Sequence, residues 1–226
     1  MCGRFTLTAD QDSIIEAFKI QEVKYEHSPR YNIAPTQCIP GILINNEQRS
    51  LQGFHWGLLP KWAKSKKIAY STFNARSETL QKKPAFRSVF PSNRMIVIAD
   101  GFYEWAHTGK DKQPYRFRVK SKDIFGFAGL YDRWESPDGE VIQSCTIITT
   151  QPNSVTSKVH DRMPVILSEE ETKMWLNPGL KDKDFLQGIL NPYNAEDMFY
   201  YPVSRAVGNV RNQTEDLIQE ITLNSL

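Results

Sequence analysis

The sequence predicts an α+β protein, a single domain over residues 1–226 whose core is a largely antiparallel, twisted and barrel-like β-sheet with peripheral helices. Three observations lead to this prediction. Short apolar and β-branched runs fill the middle of the chain, turn residues separate these runs, and helix signals collect toward the two ends. A chain of 226 residues is long enough to bury a substantial core, and it shows no repeat and no linker-like change in composition.

The first helix and the strands follow in chain order. The helix is predicted over residues 12–18, because the apolar residues there share one face and Asp10 or Thr8 is available as an N-terminal cap. Strands are predicted at residues 41–44, 95–99, 115–119, 124–130 and 141–150. The segments HTGKDKQ (107–113) and SPDG (136–139) supply turn residues between strand-like runs, which favours antiparallel pairing.

The last third of the chain carries helix signals. Ser168 and Glu171 have the S-x-x-E spacing of a capping box, and the NPG segment at 177–179 ends the helix that they open. Further helices are predicted at residues 184–190 and 214–221. We expect these helices to lie at the periphery of the sheet.

Composition excludes several classes of protein. No window approaches about 18 consecutive apolar residues, and the N-terminal segment lacks the apolar run of a signal peptide, so we expect no membrane association and a location in the cytosol or nucleus. The three cysteines Cys2, Cys38 and Cys145 are odd in number and form no C-x-x-C pair. This pattern argues against a disulfide framework and against a structural zinc site, and no metal or cofactor is expected.

The charge of the chain is unevenly distributed. The segment 61–94 contains nine basic residues and one acidic residue, a local net charge of +8, which leaves −6 for the rest of a chain whose total is +2. The basic residues are Lys61, Lys64, Lys66, Lys67, Arg76, Lys82, Lys83, Arg87 and Arg94, and Trp62, Tyr70, Phe73, Phe86 and Phe90 lie between them. Cations among aromatic rings suit single-stranded or distorted nucleic acid, but a solvated lysine-rich loop has the same composition, and charge alone leaves both open.

The cysteine at position 2 is the most unusual candidate for chemistry. If Met1 is removed, Cys2 carries an α-amine with a pKa of about 7.7–8.0 and a thiol with a pKa of about 8.5 on adjacent carbons. Such a 1,2-aminothiol condenses with an aldehyde to a Schiff base, and the thiol then closes a five-membered thiazolidine ring. The alternative is a small residue after an ordinary start codon.

Two further segments place polar groups where they could act. Asn74 and Arg76 in FNARSET (73–79) are two residues apart, so they share a face if the segment is extended; the alternative is a loop cap plus a surface arginine. Glu104 lies among aromatic residues in ADGFYEW (99–105). Such surroundings raise the pKa of a carboxyl and make it a proton donor and acceptor near neutrality, unless it is a strand-edge glutamate that faces water.

The segment VHDRMPVIL (159–167) supplies a candidate histidine. His160 stands immediately before a predicted strand, beside Asp161 and Arg162. Isolated histidines are more often structural than catalytic, and His107 is expected to be a plain surface residue in a turn.

Seven segments together resemble one known family. In chain order they are MCGRF (1–5), RYNIAPTQ (30–37), WGLLPKW (56–62), FNARSET (73–79), GFYEW (101–105), HDRMPVIL (160–167) and PVSRAVGNVRNQ (202–213). This ordered set covers almost the whole chain and resembles the SRAP family, the SOS-response-associated peptidases that form covalent crosslinks to abasic sites in single-stranded DNA.

The resemblance implies roles for four residues. Cys2, exposed by the loss of Met1, would attack the ring-opened aldehyde of an abasic deoxyribose and end as a stable thiazolidine. Asn74 would orient the cysteine and the sugar, and Glu104 would move protons during ring opening and Schiff-base formation. His160 would act as acid or base at the sugar oxygen and in reversal of the crosslink.

The resemblance also implies a DNA-binding surface. Arg4, Arg76 and Arg162 match arginines that hold phosphates, and Pro35 and Trp105 would lie against the DNA beside the damaged nucleotide. Lyase-like strand incision at abasic sites is expected as well. The segment QKKPAFR (81–87) matches the family only loosely, so whether Lys82, Lys83 or Arg87 contacts phosphate stays open.

Three other functions compete with this interpretation. The first is an amidohydrolase with an N-terminal nucleophile, since such enzymes also begin Met-Cys-Gly. The second is a protease, which would use Cys2 and Glu104 mainly to cut the bond between Met1 and Cys2. The third is a non-catalytic single-strand binder, which would use neither residue. The expected partner is single-stranded DNA with abasic sites, and the expected state is a monomer. The expected location is the cytoplasm, on the nucleoid when bound to DNA, or the nucleus if the protein is eukaryotic.

Overall fold

The computed structural model describes residues 2–108 and 111–223 and confirms the predicted α+β architecture. Its strands are β1 (Phe5–Leu7), β2 (Glu22–Val23), β3 (Arg30–Ile33), β4 (Cys38–Asn45), β5 (Gln48–Trp56), β6 (Asn74–Arg76), β7 (Arg94–Ala99), β8 (Gly101–Thr108), β9 (Asp111–Val119), β10 (Phe125–Glu135), β11 (Val141–Thr150), β12 (Met163–Pro164), β13 (Ile166–Leu167) and β14 (Met198–Pro202). The helices are α1 (Gln11–Phe18), α2 (Ala69–Thr72), α3 (Glu169–Leu176) and α4 (Lys183–Gly188), with short 3-10 turns between elements.

Five strands close into a barrel. The strands β11, β10, β7, β4 and β5 are hydrogen-bonded in that order, each antiparallel to the next. The ring is closed by a parallel pairing of β5 with β11, which sets His55 beside Ser144 and Trp56 beside Cys145. Closure leaves no free edge between the first and last strands, which confirms the predicted barrel-like core.

A second, antiparallel sheet packs beside the barrel in the order β14, β9, β8, β1 and β3. Phe5 of β1 joins the two layers, because its ring packs edge-on against Trp56 at 5.2 Å and against Phe127 at 6.0 Å between centroids. All three side chains are fully buried. The first strand of the chain is therefore anchored in the main hydrophobic core, and that anchor fixes the position of the residues just before it.

The helices α1 and α3 are capped by the residues that the sequence indicates, and α4, predicted at 184–190, spans Lys183–Gly188. Asp10 caps α1 by accepting a hydrogen bond from the Ser13 N–H at 2.8 Å. Ser168 and Glu171 form the predicted capping box of α3, which ends at Leu176, directly before the NPG segment. Each such cap satisfies backbone donors that the helix itself leaves unpaired.

One predicted helix is wrong. Residues 214–221 form only a 3-10 turn at Glu215–Ile218, since the backbone beyond it pairs with the end of β14. Glu220 bridges to Val203, and the Ile221 N–H donates to the Pro202 carbonyl at 3.0 Å. These bonds hold the chain extended and stop the helix.

The predicted strand pairings are also present. The SPDG turn connects β10 to β11, and Gly139 adopts the left-handed φ of +83° that this turn requires. The strands β8 and β9 are antiparallel, although Gly109 and Lys110 at their connection lie outside the described residues. Among the described residues, no helix has the length and hydropathy needed to cross a membrane.

Candidate active site

The pairing of β1 with β8 brings the start of the chain to Glu104. Phe5 lies opposite Phe102, and the Tyr103 N–H donates to the Arg4 carbonyl at 3.0 Å, so the antiparallel register continues toward the N-terminus. Cys2 is fully buried at this point. Burial raises the pKa of the Cys2 thiol well above its ordinary value, and the neighbouring Glu104 carboxylate adds to the effect. The thiol is therefore held in its protonated form until a base removes the proton.

Glu104 is a buried carboxyl group that holds a proton near neutral pH. Its side chain is 4% exposed, and burial raises its pKa to about 8. The Oε1 atom is buried and has no hydrogen-bond partner among the described residues. A carboxyl with this pKa exchanges protons readily at physiological pH, which is what a general acid or base requires. The sequence-based expectation of a raised pKa agrees with this environment.

His160 faces Glu104 across the site. The distance from His160 Nε2 to Glu104 Oε2 is 3.7 Å. The Arg162 backbone N–H donates to His160 Nδ1 at 3.0 Å, and Asp161 Oδ1 lies 3.1 Å from the same nitrogen, so Nδ1 faces its own segment and Nε2 faces Glu104. Burial lowers the pKa of His160, so desolvation outweighs ion pairing and both groups favour their neutral forms at neutral pH.

A cleft of about 350 Å³ opens over this pair. It is lined by Arg4, Glu104, Trp105, His107, Lys112, His160 and Gly208. The prediction that His107 lies in a turn is wrong, because β8 extends through it and pairs it with Lys112 of β9. Side chains alternate between the two faces of a strand, so His107 lies on the same face of β8 as Trp105. This two-residue spacing was the signal in the sequence that could have placed His107 at the cleft.

The Arg4 guanidinium is held within the protein at the edge of the cleft. Its Nη1 donates to Asn32 Oδ1 at 2.8 Å and to the Val207 carbonyl at 2.6 Å, and its Nη2 donates to the Gly208 carbonyl at 3.1 Å. It also lies over the ring of Trp105, at 5.8 Å from the centroid. Arg4 therefore fixes the loop that forms one wall of the cleft, and phosphate binding by Arg4 stays a prediction.

The NAR segment forms a short strand along the barrel. Strand β6 pairs in parallel with β11, and Ala75 is fully buried, so Asn74 and Arg76 lie on one face as the spacing predicted. Arg76 is exposed. The Asn74 Nδ2 donates to the Phe73 carbonyl at 3.1 Å, whereas its buried Oδ1 has no partner among the described residues. That oxygen is an acceptor available to a substrate or to an N-terminal amine.

A bidentate ion pair joins the NAR segment to the HDR segment. Arg162 is buried, and its Nη1 and Nη2 donate to Glu78 Oε1 at 2.6 Å and Oε2 at 3.0 Å. Its Nη2 also donates to the Thr149 carbonyl at 2.6 Å. Because the guanidinium is bound on these sides, its predicted contact with phosphate is not visible in the structure and stays a prediction.

Pro35 lies in a tight turn between β3 and β4, away from the residues that line the cleft. The Gln37 N–H returns to the Ala34 carbonyl at 3.4 Å, and Thr36 has a left-handed φ of +72°. A β-branched residue in this conformation is strained, and such strain often accompanies a functional site. The turn is exposed at Thr36 and presents Pro35 beside it.

The structure thus gathers Cys2, Arg4, Glu104, Trp105 and His160 around one cleft, with Asn74 and Arg76 on a strand tied to it through Arg162. Residues 2–108 and 111–223 contain no group of three His, Cys, Asp or Glu side chains placed to hold a metal ion. The three cysteines are free thiols. The chemistry that this arrangement supports is nucleophilic attack assisted by proton transfer.

The structure is an α+β fold built on a barrel, with a buried cysteine at position 2 beside a buried glutamic acid and a histidine. The chain belongs to the SRAP family, since the family model described as SOS response associated peptidase matches residues 1–210.

Named relatives and a solved structure agree with this membership. The abasic site processing protein YoqW of Bacillus subtilis is 48% identical over 97% of this chain and 99% of its own length. The abasic site processing protein HMCES of Xenopus tropicalis is 31% identical over 99% of this chain and 79% of its own length. A crystal structure of a protein from Bacteroides thetaiotaomicron superposes with a TM-score of 0.88 at 31% identity, over 98% of this chain and all of that one.

Proposed function

We propose that this protein, acting as a monomer, detects abasic sites in single-stranded DNA and shields them by a covalent thiazolidine crosslink through Cys2. The observation that carries the proposal is the burial of Cys2 beside Glu104, whose pKa of about 8 suits proton transfer, with His160 3.7 Å from that carboxyl. The names of the relatives, which are abasic site processing proteins, support the choice of substrate.

The reaction begins when the α-amine of Cys2, exposed by removal of Met1, attacks the C1′ aldehyde of the ring-opened sugar. A carbon–nitrogen bond forms, the carbonyl oxygen leaves as water, and a Schiff base results. The thiol then adds to the same carbon, its proton passes to the nitrogen, and a five-membered ring closes. The amine, thiol and aldehyde together yield one thiazolidine and one water. Intramolecular closure favours the ring over release.

Glu104 supplies the proton transfers in this sequence. Opening of the sugar needs a base at the C1′ hydroxyl and an acid at the ring oxygen, and a carboxyl with a pKa of about 8 serves both ways near neutrality. The same group, beside the buried thiol, relays the thiol proton to the nitrogen as the ring closes. His160 is the partner acid at the sugar oxygen, and it acts again when the crosslink reverses. The unpaired Oδ1 of Asn74 orients the amine.

DNA reaches the cleft over a basic and aromatic surface. Trp62 is 57% exposed and Tyr70 is 71% exposed, and Lys64 and Lys67 beside them are also exposed. Exposed rings among cations suit unpaired bases and a phosphate backbone. Arg76 is exposed and Trp105 lines the cleft, so both can contact the DNA beside the damaged nucleotide. Arg4 and Arg162 would reach a phosphate only by exchanging the internal hydrogen bonds described above, and Pro35 would meet the strand from its turn outside the cleft. Arg94 makes no contribution, because its guanidinium is buried and bound to the Trp175, Asn177 and Leu180 carbonyls.

Two further activities follow from the same chemistry. In the first, the Cys2 thiol attacks the Met1 carbonyl carbon and the Met1–Cys2 amide bond is exchanged for a thioester, with Glu104 giving a proton to the departing amine. Water then hydrolyses the thioester, which releases methionine and restores the thiol beside a free α-amine; Met1 itself lies outside the described residues. A Schiff base at C1′ also acidifies the adjacent C2′ proton, so its loss expels the 3′ phosphate and incises the strand. This second route is the lyase activity of the protein.

The test mixes protein that lacks Met1 with a single-stranded oligonucleotide carrying one abasic site. A band that survives denaturation without a reducing agent is expected, since a thiazolidine needs no reduction to persist whereas a Schiff base does. The Cys2→Ala variant should lose this band and keep its salt-sensitive DNA binding. Absence of the band together with glutaminase activity would instead identify an amidohydrolase.

A further inference from the structure

A second cavity, larger than the cleft over Glu104, lies outside the proposed active site. Its volume is about 650 Å³, within the usual range of about 300–1,000 Å³ for small-molecule sites, and it shares no lining residue with the cleft over Glu104. The end of α1, the turn between β9 and β10, and the start of α3 enclose it. Nothing in the proposed reaction uses this space.

The floor of the cavity is apolar. Phe18 of α1, Ile124, Phe125 of β10 and Leu167 of β13 line it. Phe18, Phe125 and Leu167 are buried, so their side chains are held by the core. A rigid apolar floor of this kind suits a flat, apolar part of a ligand.

The rim of the cavity is cationic. Four cationic side chains line it, namely Lys19, Arg49, Arg118 and Lys122, together with three acidic ones, Asp100, Asp123 and Glu169. The Asp100 carboxylate is already paired with Arg116, whose Nη2 lies 3.1 Å from its Oδ1. The remaining six groups carry a net charge of +2.

One of these cations has a donor without an acceptor. Arg118 Nη2 pairs with Asp123 Oδ1 at 3.1 Å, but the Arg118 Nε is buried and finds no hydrogen-bond partner among the described residues. Buried donors are almost always satisfied, so this Nε is a donor that a water molecule or a bound ligand would satisfy.

We propose that this cavity binds a small organic phosphate monoester. Its phosphate accepts hydrogen bonds from Arg118 and Lys122, and its flat apolar part lies on Phe18, Ile124 and Phe125. A phosphate monoester carries a charge of about −1.5 to −2 at pH 7, which matches the excess of +2 on the rim better than a single carboxylate does. The site is independent of the crosslinking reaction.

Calorimetric titration of the full chain with adenosine 5′-monophosphate tests the proposal, with adenosine and inorganic phosphate as separate probes. We expect one saturable site with a Kd of about 1 mM or tighter for the monophosphate, and binding at least about tenfold weaker for either part alone. No saturation by the monophosphate, or equal binding of inorganic phosphate, would overturn the proposal.

Two variants separate this cavity from the proposed DNA surface. Arg118→Gln/Lys122→Gln removes the cations, and Ala17→Phe, at an exposed position of α1 that lines the cavity, fills its mouth without a change of charge. Each variant should bind adenosine 5′-monophosphate at least about tenfold more weakly than wild type. The control Arg133→Gln/Lys181→Gln loses the same charge at exposed positions outside both cavities and should bind normally. Unchanged binding by Ala17→Phe, with its fold verified by circular dichroism, would contradict the proposal.

Discussion

At the scale of single residues, the site depends on a carboxyl group that the fold keeps out of water. Glu104 is 4% exposed, and its Oε1 has no hydrogen-bond partner among the described residues. Desolvation alone therefore favours its protonated form, and the neighbouring His160 is too weakly basic in this setting to reverse the preference. Burial of this carboxyl lowers the stability of the folded protein, but it leaves a proton donor and acceptor beside Cys2.

Glu104→Gln keeps the size and polarity of the side chain but cannot exchange a proton. We expect crosslink formation with abasic single-stranded DNA to slow by about 10²–10⁴-fold, the usual contribution of a general acid or base. Single-turnover rates with saturating DNA measure the effect, and the exposed Glu140→Gln serves as a control. An unchanged rate in Glu104→Gln would remove this residue from the mechanism.

The pKa of Glu104 also predicts how stability changes with pH. The carboxyl has a pKa of about 8 in the folded protein and about 4.5 when exposed, so the folded state binds more protons between these values. Its stabilising contribution is complete below about pH 4.5 and is lost as the pH rises through 8. Thermal denaturation should show wild type losing stability relative to Glu104→Gln across this window, and a constant difference between them would contradict the assignment.

Thr36 tests the strain in the turn that presents Pro35. A β-branched residue at a φ of +72° is strained, whereas glycine adopts this conformation freely. Thr36→Gly should raise the free energy of unfolding by about 1 kcal/mol, as measured by urea denaturation. Thr36→Ala keeps a Cβ atom, so its free energy of unfolding should rise by less than that of Thr36→Gly. A glycine variant less stable than wild type would show that the turn is not strained.

At the scale of elements, the site is assembled by segments that are far apart in sequence. Strand β1 sets Cys2 against β8, whereas β6 and the segment before β12 approach it from the barrel. The Arg162–Glu78 ion pair joins these last two segments, and the Arg162 backbone N–H orients the His160 ring. Glu78 therefore acts on His160 through Arg162, without lining the cleft itself.

Glu78→Gln tests this link. Arg162 is 6% exposed on its side chain, so loss of its charged partner should cost about 1–3 kcal/mol of unfolding free energy. The pair Lys66–Glu140 is exposed on both sides, so Glu140→Gln should cost less than about 1 kcal/mol.

Crosslinking rates separate a positioning role from a purely structural one. Glu78→Gln should lower the maximal crosslinking rate at saturating DNA by a larger factor than it raises the DNA concentration that gives half of that rate. The reason is that the reacting groups are misaligned while the DNA surface is intact. Glu78→Asp, which keeps the charge, should recover part of the rate. An unchanged maximal rate in folded Glu78→Gln protein would contradict the positioning role.

At the scale of the whole molecule, the basic charge of the chain is concentrated in segment 61–94, whose cations other than Arg94 are all exposed. Lys64 and Lys67 are exposed beside Trp62 and Tyr70, whereas the rest of the chain is net acidic. A single strand that crosses this surface releases counterions in proportion to the phosphates neutralised. Binding should therefore weaken steeply with salt.

Lys64→Gln/Lys67→Gln should reduce the slope of log affinity against log salt concentration by about 1.4, since each single-strand phosphate contact contributes about 0.7. Fluorescence anisotropy with an intact single strand measures this slope without any crosslink. Lys181→Gln/Lys183→Gln changes the same charge at exposed positions on and beside α4 and should leave the slope unchanged. Equal slopes for all three proteins would place the DNA elsewhere.

Local sequence signals predicted most of the strands and helices, but they could not predict which strands pair when these are far apart in the chain. Strand β11 occupies the predicted residues 141–150, because β-branched runs between turns identify a strand without tertiary information. The closure of the barrel by β5 and β11 joins residues about ninety positions apart, and no local pattern specifies it. Charge counting likewise could not separate Arg94, which is buried, from the exposed lysines of the same segment.

The candidate site shows the same division. The aromatic residues around Glu104 in the sequence predicted a buried carboxyl with a raised pKa, and the structure agrees with this prediction. The internal bonds of Arg4 and Arg162 could not be predicted, since their partners, Val207 and Glu78, are distant in the chain. The resemblance predicts which arginines hold phosphates, but it does not predict what each arginine contacts within the protein.

The most direct measurement is the intact mass of the protein after incubation with an oligonucleotide that carries one abasic site. The expected species has the mass of the chain without Met1, plus the oligonucleotide, minus one water, and it should be absent with Cys2→Ala. A chain that has lost Met1 but gains no mass from abasic DNA would contradict the proposal that Cys2 closes a thiazolidine on the abasic sugar.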